Sequence, residues 1–148
     1  YIGGKFSVKD FGAITTDKDT PFPKRLCEIY EDYCQILDSW KPDALSIERL
    51  YFTNNQKTGI DVAQARGIII MAAAQRGIEI NEYTPLQVKQ AVVGYGQAVK
   101  KQVQEMTKNI LKLSCVPKPD DTADALAMTI CHAQTSGSLL RNIKASNI

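Results

Sequence analysis

The sequence predicts an α/β fold. Stretches with strand-like character at Lys5–Ile14, Ala44–Ile47 and Ile78–Tyr83 are separated by stretches whose apolar residues recur every three or four positions. The size agrees: 148 residues, 44% hydrophobic and 23% charged, suit one compact domain with a single core and are too apolar for a disordered chain.

In the first stretch, Phe6, Val8, Phe11 and Ala13 stand among polar residues, and the alternation slips once near Asp10, where a bulge would restore it. From Pro23 onward, Leu26, Tyr30, Tyr33, Leu37 and Trp40 keep helical spacing until Lys41-Pro42 stops it. Ala44–Ile47 is too short for a helix and fits a buried strand that Glu48 closes, with the polar loop Thr53–Thr58 beyond. Thr58, with Asp61 three residues later, predicts the cap of a helix that runs to Gln75 and is closed by Gly77. Ile78–Tyr83 alternates again, Thr84-Pro85 supplies the N-cap and first-turn proline of the next helix, and Gly94-Tyr95-Gly96 breaks it. Val99, Val103, Met106, Ile110 and Leu113 mark the apolar stripe of another helix, ended by Val116-Pro117-Lys118-Pro119. The last helix is predicted from about Asp121 to Gln134, so residues 1–134 are expected to form the domain and residues 135–148 a polar, flexible tail.

Several function classes drop out on composition. The longest strongly apolar stretch, Ile68–Ala74, is far short of the ~20 residues that span a bilayer, and no charged-then-apolar leader opens the sequence, so a cytoplasmic location is expected. Cys27, Cys34, Cys115 and Cys131 form no CxxC pair; Cys27 and Cys34 share a helical face and read as core packing, while His132 lacks the convergent partners of a zinc site. Charge is segregated along the chain. Leu26–Glu48 holds six acidic residues against one Lys, whereas Pro85–Lys118 holds Lys89, Lys100, Lys101, Lys108, Lys112 and Lys118 against Glu105 alone. Such segregation suits a polyanion meeting one face, with a solvated helix surface as the alternative.

Parallel strands joined by crossover helices carry their sites at the strand carboxyl ends, which singles out Glu48. Asp121 and Asp124 lie on one face of a helix's first turn, where they serve either as capping acids or, if Asp120 is the cap, as site ligands. Together Glu48, Asp121 and Asp124 offer the hard oxygen donors that Mg²⁺ prefers, and two such ions ~4 Å apart would hold an attacking water and a leaving oxygen in line across a phosphodiester.

The segments Ser46-Ile47-Glu48-Arg49-Leu50-Tyr51-Phe52, Ala63-Gln64-Ala65-Arg66-Gly67, Gln87-Val88-Lys89-Gln90-Ala91-Val92-Val93-Gly94-Tyr95-Gly96 and Asp121-Thr122-Ala123-Asp124-Ala125-Leu126-Ala127 resemble, in order, successive motifs of the RuvC family of Holliday junction resolvases. The resemblance implies a ribonuclease H-like fold with a mixed central sheet flanked by helices. It also implies a homodimer, docking to a branch-migration helicase complex, and Mg²⁺-dependent paired cutting of a four-way DNA junction in recombination and repair, with two ions per site. Glu48, Asp121 and Asp124 match three of the family's four catalytic, metal-binding acids. Tyr51 and Phe52 match the aromatic pair that unstacks bases, and Lys89 and Lys100 match basic residues near the scissile backbone, with Lys101 an extra neighbour. The family's opening central strand, with a Gly-Ile-Asp-Pro-Gly-like turn that supplies the first catalytic Asp, has no counterpart, so native residues are expected to precede Tyr1. Without that Asp, a junction-binding protein that does not cut is the alternative. A phosphate-handling ATPase on the same general fold is disfavoured by the lack of a Gly-rich phosphate loop.

Overall fold

A computed structural model describes residues 1–2, 4–50 and 56–145, of which 56–58 and 138–145 are described by their backbone alone. The elements run α1 (Phe22–Trp40), β1 (Ala44–Glu48), α2 (Gln56–Gln75), β2 (Glu79–Tyr83), α3 (Pro85–Val93), α4 (Lys100–Leu111) and α5 (Asp120–Ala145). β1 and β2 pair as a two-stranded sheet. Glu79 N–H donates to the Asp43 carbonyl at 3.4 Å near one end and Arg49 N–H to the Tyr83 carbonyl at 2.9 Å near the other, so the strands run parallel.

The chain folds as two compact units, one of Tyr1–Ala13, Ser46–Arg49 and Glu82–Ile148, the other of Ile14–Leu45 and Leu50–Asn81. In the second unit α1 packs on α2 around the buried Leu37, Ala72 and Ala73, with Tyr30, Tyr33, Cys34, Leu45, Ile78 and Ile80 against them. An Arg76–Asp38 pair with both guanidinium-to-carboxylate bonds, at 2.7 and 3.0 Å, ties the two helices at the surface and holds the Asp38 carboxyl below its ordinary range. In the first unit α3, α4 and α5 pack on one another around Tyr83, Val88, Val92, Ala98, Val103, Ala127, Ile130 and Cys131.

The local signals of α3 hold in full. Thr84 Oγ1 accepts the Gln87 N–H at 3.1 Å while Gln87 Oε1 accepts the Thr84 N–H at 2.8 Å, a reciprocal capping box followed by Pro85. Gly94 ends the helix at φ 92°, a left-handed conformation that costs a glycine nothing.

Other expectations are corrected. Lys5–Ile14 is not a strand: apart from a single antiparallel bridge between Ile2 and Lys5, no pairing forms there. Asp10 Oδ1 accepts the Phe11 N–H at 2.8 Å and removes that donor from any ladder, while Phe6 still packs on the core and against the Tyr1 ring. α2 begins at Gln56, so Thr58 lies inside its first turn instead of capping it. α5 does not stop near Gln134 but runs to Ala145, because Thr135 Oγ1 donates to the Cys131 carbonyl at 2.8 Å and Ser136 Oγ to the His132 carbonyl at 2.9 Å, which satisfies these polar side chains within the helix. On α4 the buried residues are Val103, Gln104 and Thr107, while Val99 is 61% and Met106 38% exposed. The helix packs on both α3 and α5, and the arc it buries is therefore rotated from the most apolar stripe. Trp40, at the end of α1, and Cys27 are exposed. His132 is half-buried, and its Nδ1 and the Tyr83 hydroxyl share a hydrogen bond of 2.8 Å. Among the described residues no helix is long and apolar enough to cross a membrane.

Thr84→Ala removes one half of the capping box and should lower unfolding stability by about 1 kcal/mol, read as a lower urea midpoint with an unchanged m-value. An unchanged midpoint would show that α3 is held by packing alone.

Candidate functional site

Four elements of the first unit converge on one cleft of about 230 Å³. β1 ends at Glu48 and delivers its carboxylate; α3, fixed in direction by its capping box, contributes Pro85, Val88 and Lys89. Lys100 is the first residue of α4, one turn before Val103, and α5 adds Asp124, Ala127 and Met128. The cleft is thus an apolar lining crossed by two carboxylates and two ammonium groups.

The charges are ordered around Lys100. Its Nζ lies 3.2 Å from Asp124 Oδ2 and 3.5 Å from Asp120 Oδ2, and Asp120 Oδ1 also accepts from Lys118 Nζ at 2.7 Å. Hydrogen bonding to Asp124 holds the Lys100 ammonium above the usual lysine range, and Lys118, followed by Lys100, holds the Asp120 carboxyl below the usual carboxylate range. Both groups therefore stay charged across the neutral range. A lysine in the first turn of a helix opposes the helix dipole, whereas acids in the first turn of α5 follow theirs. The Asp120 and Asp124 carboxylates offset the misplaced charge of Lys100, and Lys100 in turn relieves the repulsion between the two acids.

Of the residues singled out in the sequence, the cleft brings together Glu48, Asp124, Lys89 and Lys100. Asp121, the third acid of the expected trio with Glu48 and Asp124, is exposed and is not among the residues that line the cleft. Asp120 and Asp124, i,i+4 neighbours, share the Lys100 ammonium, and Asp121 lies three residues before Asp124. Lys101 is exposed and also outside the cleft. Tyr51 and Phe52 lie outside the described residues. Asp120, read from sequence as a possible cap, belongs instead to the charge network; its i,i+4 spacing to Asp124, with Lys118 two residues before it, was the available signal.

Among the described residues no group of three or more His, Cys, Asp or Glu side chains is gathered closely enough to hold a metal unaided. The donor set nevertheless suits a hard divalent ion, since Mg²⁺ is commonly held by one or two carboxylates with water and substrate oxygens completing its shell. Glu48 and Asp124 supply two carboxylates to one cleft, and Asp124 already pairs with a positive charge, the Lys100 ammonium.

Comparison with known proteins places these residues in a family. The family model described as crossover junction endodeoxyribonuclease RuvC matches residues 2–132. Crossover junction endodeoxyribonuclease RuvC of Ruminiclostridium cellulolyticum is 53% identical over 144 residues, 96% of this chain and 87% of that protein. The protein of the same description from Alkaliphilus oremlandii is 53% identical over 135 residues, 91% of this chain and 82% of its own length. Among solved structures, Thermus thermophilus RuvC superposes with a TM-score of 0.74 at 33% identity, covering 81% of this chain and 72% of that one. The structure of T. thermophilus RuvC in complex with Holliday junction substrate gives a TM-score of 0.75 at 34% identity, covering 80% and 72%. The fold is accordingly the ribonuclease H-like α/β fold of that protein. With four-fifths of the chain matched in structure and nearly all of it in sequence, the chain belongs to the RuvC family of crossover junction endodeoxyribonucleases.

Proposed function

We propose that this protein resolves Holliday junctions by Mg²⁺-dependent hydrolysis of one phosphodiester in each of two opposed strands. The observation that carries the reading is the single cleft in which Glu48 and Asp124 stand with Lys89 and Lys100, in a chain of the RuvC family. Junction DNA comes to this chain from its relative, whose solved complex holds a Holliday junction substrate. Glu48 and Asp124 would hold the metal, which when bound supplies Lewis-acid charge stabilisation and a more acidic water. Asp121 enters as a third acid through its motif alone, and two ions per site are implied by the family.

The chain's own groups divide the remaining work. Lys89 and Lys100 bring ammonium charge to the scissile phosphate, and Lys100 does so from the head of α4, where backbone N–H groups also favour an anion. The Glu48 carboxylate accepts a hydrogen bond from the attacking water and turns its lone pair toward phosphorus. The apolar lining of Val88, Val103 and Ala127 limits competing water. Lys101 adds phosphate affinity beside the cleft, and Tyr51 or Phe52, following Glu48 in sequence, is the proposed base-stacking wedge. Residues 1–134 carry the nuclease domain in this reading, a branch-migration helicase is the partner by family resemblance, and the location is cytoplasmic.

Two opposed cuts require two sites, and the surface of α2 supports a homodimer. Ile60, Ala63, Gly67, Met71 and Ala74 follow helical spacing and are all exposed. This apolar stripe contains small residues that would let a second helix approach closely.

Asp124→Asn should abolish junction cleavage in Mg²⁺ and leave junction binding intact or tighter, since it removes negative charge near phosphate; loss of binding in a folded variant would make Asp124 a structural residue. Junction affinity should fall steeply with salt, and Lys89→Ala should lower the log-log slope by about one. An unchanged slope would return Lys89 to the solvated surface. Met71→Asp should convert a dimer to monomer in sedimentation and lose paired cutting, whereas a dimer that persists would place the interface elsewhere.

A further inference from the structure

Lys100 stands where a cation is wanted by two acids, and its pairing is weakly held. Its side chain is 52% exposed, and those of Asp120 and Asp124 are 46% and 45% exposed, a setting in which an ion pair contributes little. A divalent ion on Asp124 and an ammonium 3.2 Å from the same carboxylate repel each other, so the two cannot hold it together without loss to both. Asp120, 3.5 Å away, gives the displaced ammonium a second carboxylate to stay near. We infer that Lys100 is a built-in counter-ion for Asp124 that a divalent cation must displace, so that metal binding and release of this lysine from Asp124 are one event. The inference rests on the reading of Asp124 as a metal ligand.

The test is Mn²⁺ binding to the DNA-free full-length protein, followed by electron paramagnetic resonance of the free ion, with circular dichroism to confirm that each variant is folded. Lys100→Met should bind Mn²⁺ about fivefold more tightly than the wild type, the gain expected from removing an exposed ion pair at the upper end of its usual worth. Lys100→Arg, which keeps the charge, should return affinity to the wild-type level. Lys101→Met makes the same change in net charge one residue away and should give less than half that gain. In the Lys100→Met/Asp124→Asn double variant the gain should vanish. Equal or weaker binding by Lys100→Met, or an equal gain from Lys101→Met, would overturn the displacement. Unaltered Mn²⁺ binding by Asp124→Asn alone would instead overturn the metal-ligand reading beneath it.

Discussion

Carboxylates at a helix start and a strand end raise each other's energy unless positive charge lies among them, and this constraint governs how the charged groups of the cleft are arranged. Asp120 and Asp124 occupy the first two turns of α5, and Glu48 closes β1 at the same cleft as Asp124. The positive charge comes from Lys100, itself poorly placed at the head of α4, where the helix dipole repels it. Each unfavourable placement offsets the other. The capping box of Thr84 and Gln87, the left-handed Gly94 and the packing of Val88 and Val103 into one core fix α3 and α4 so that the lysine meets the acids.

The ionic groups of the cleft are half-exposed, so they are nearly independent of the fold's stability. Stability resides in the apolar cluster beneath, in Ala127, Ile130 and Cys131 of α5 and Val88 and Val92 of α3. Burial pushes the Cys131 thiol above its ordinary range and leaves it a packing residue. The division lets charged residues at the cleft answer to a ligand while the helices that carry them stay in place. It also explains why relatives that differ at about two-thirds of their aligned positions can keep one fold, since TM-scores of 0.74 and 0.75 persist at 33% and 34% identity.

Features set by a few adjacent residues were legible in the sequence. The Thr84-Pro85 cap, the Gly94 break and the parallel strand ending in Glu48 each follow from local chemistry. Features set by partners were not. Whether Asp120 or Asp121 joins Asp124 depends on the rotation of α5 relative to Lys100, which neighbouring residues do not encode. The buried arc of α4 took in Thr107, wholly buried, at the expense of Met106 because two helices press on it. A strand over Lys5–Ile14 needs a ladder to join, and alternation alone does not supply one. The length of α5 depended on hydroxyls of Thr135 and Ser136 turning back to the helix, a choice their composition leaves open.

In the proposed reaction the Glu48–Asp124 cleft hydrolyses DNA strands at a four-way junction with a divalent metal. The most direct measurement incubates the full-length protein with a synthetic junction labelled on each strand in turn, beside a linear duplex of the same sequence, with and without Mg²⁺. Symmetric cuts in two opposed strands of the junction, only with Mg²⁺, and an intact duplex are expected. A junction that is bound but uncut in Mg²⁺, or a duplex cut as readily as the junction, would contradict the proposed reaction.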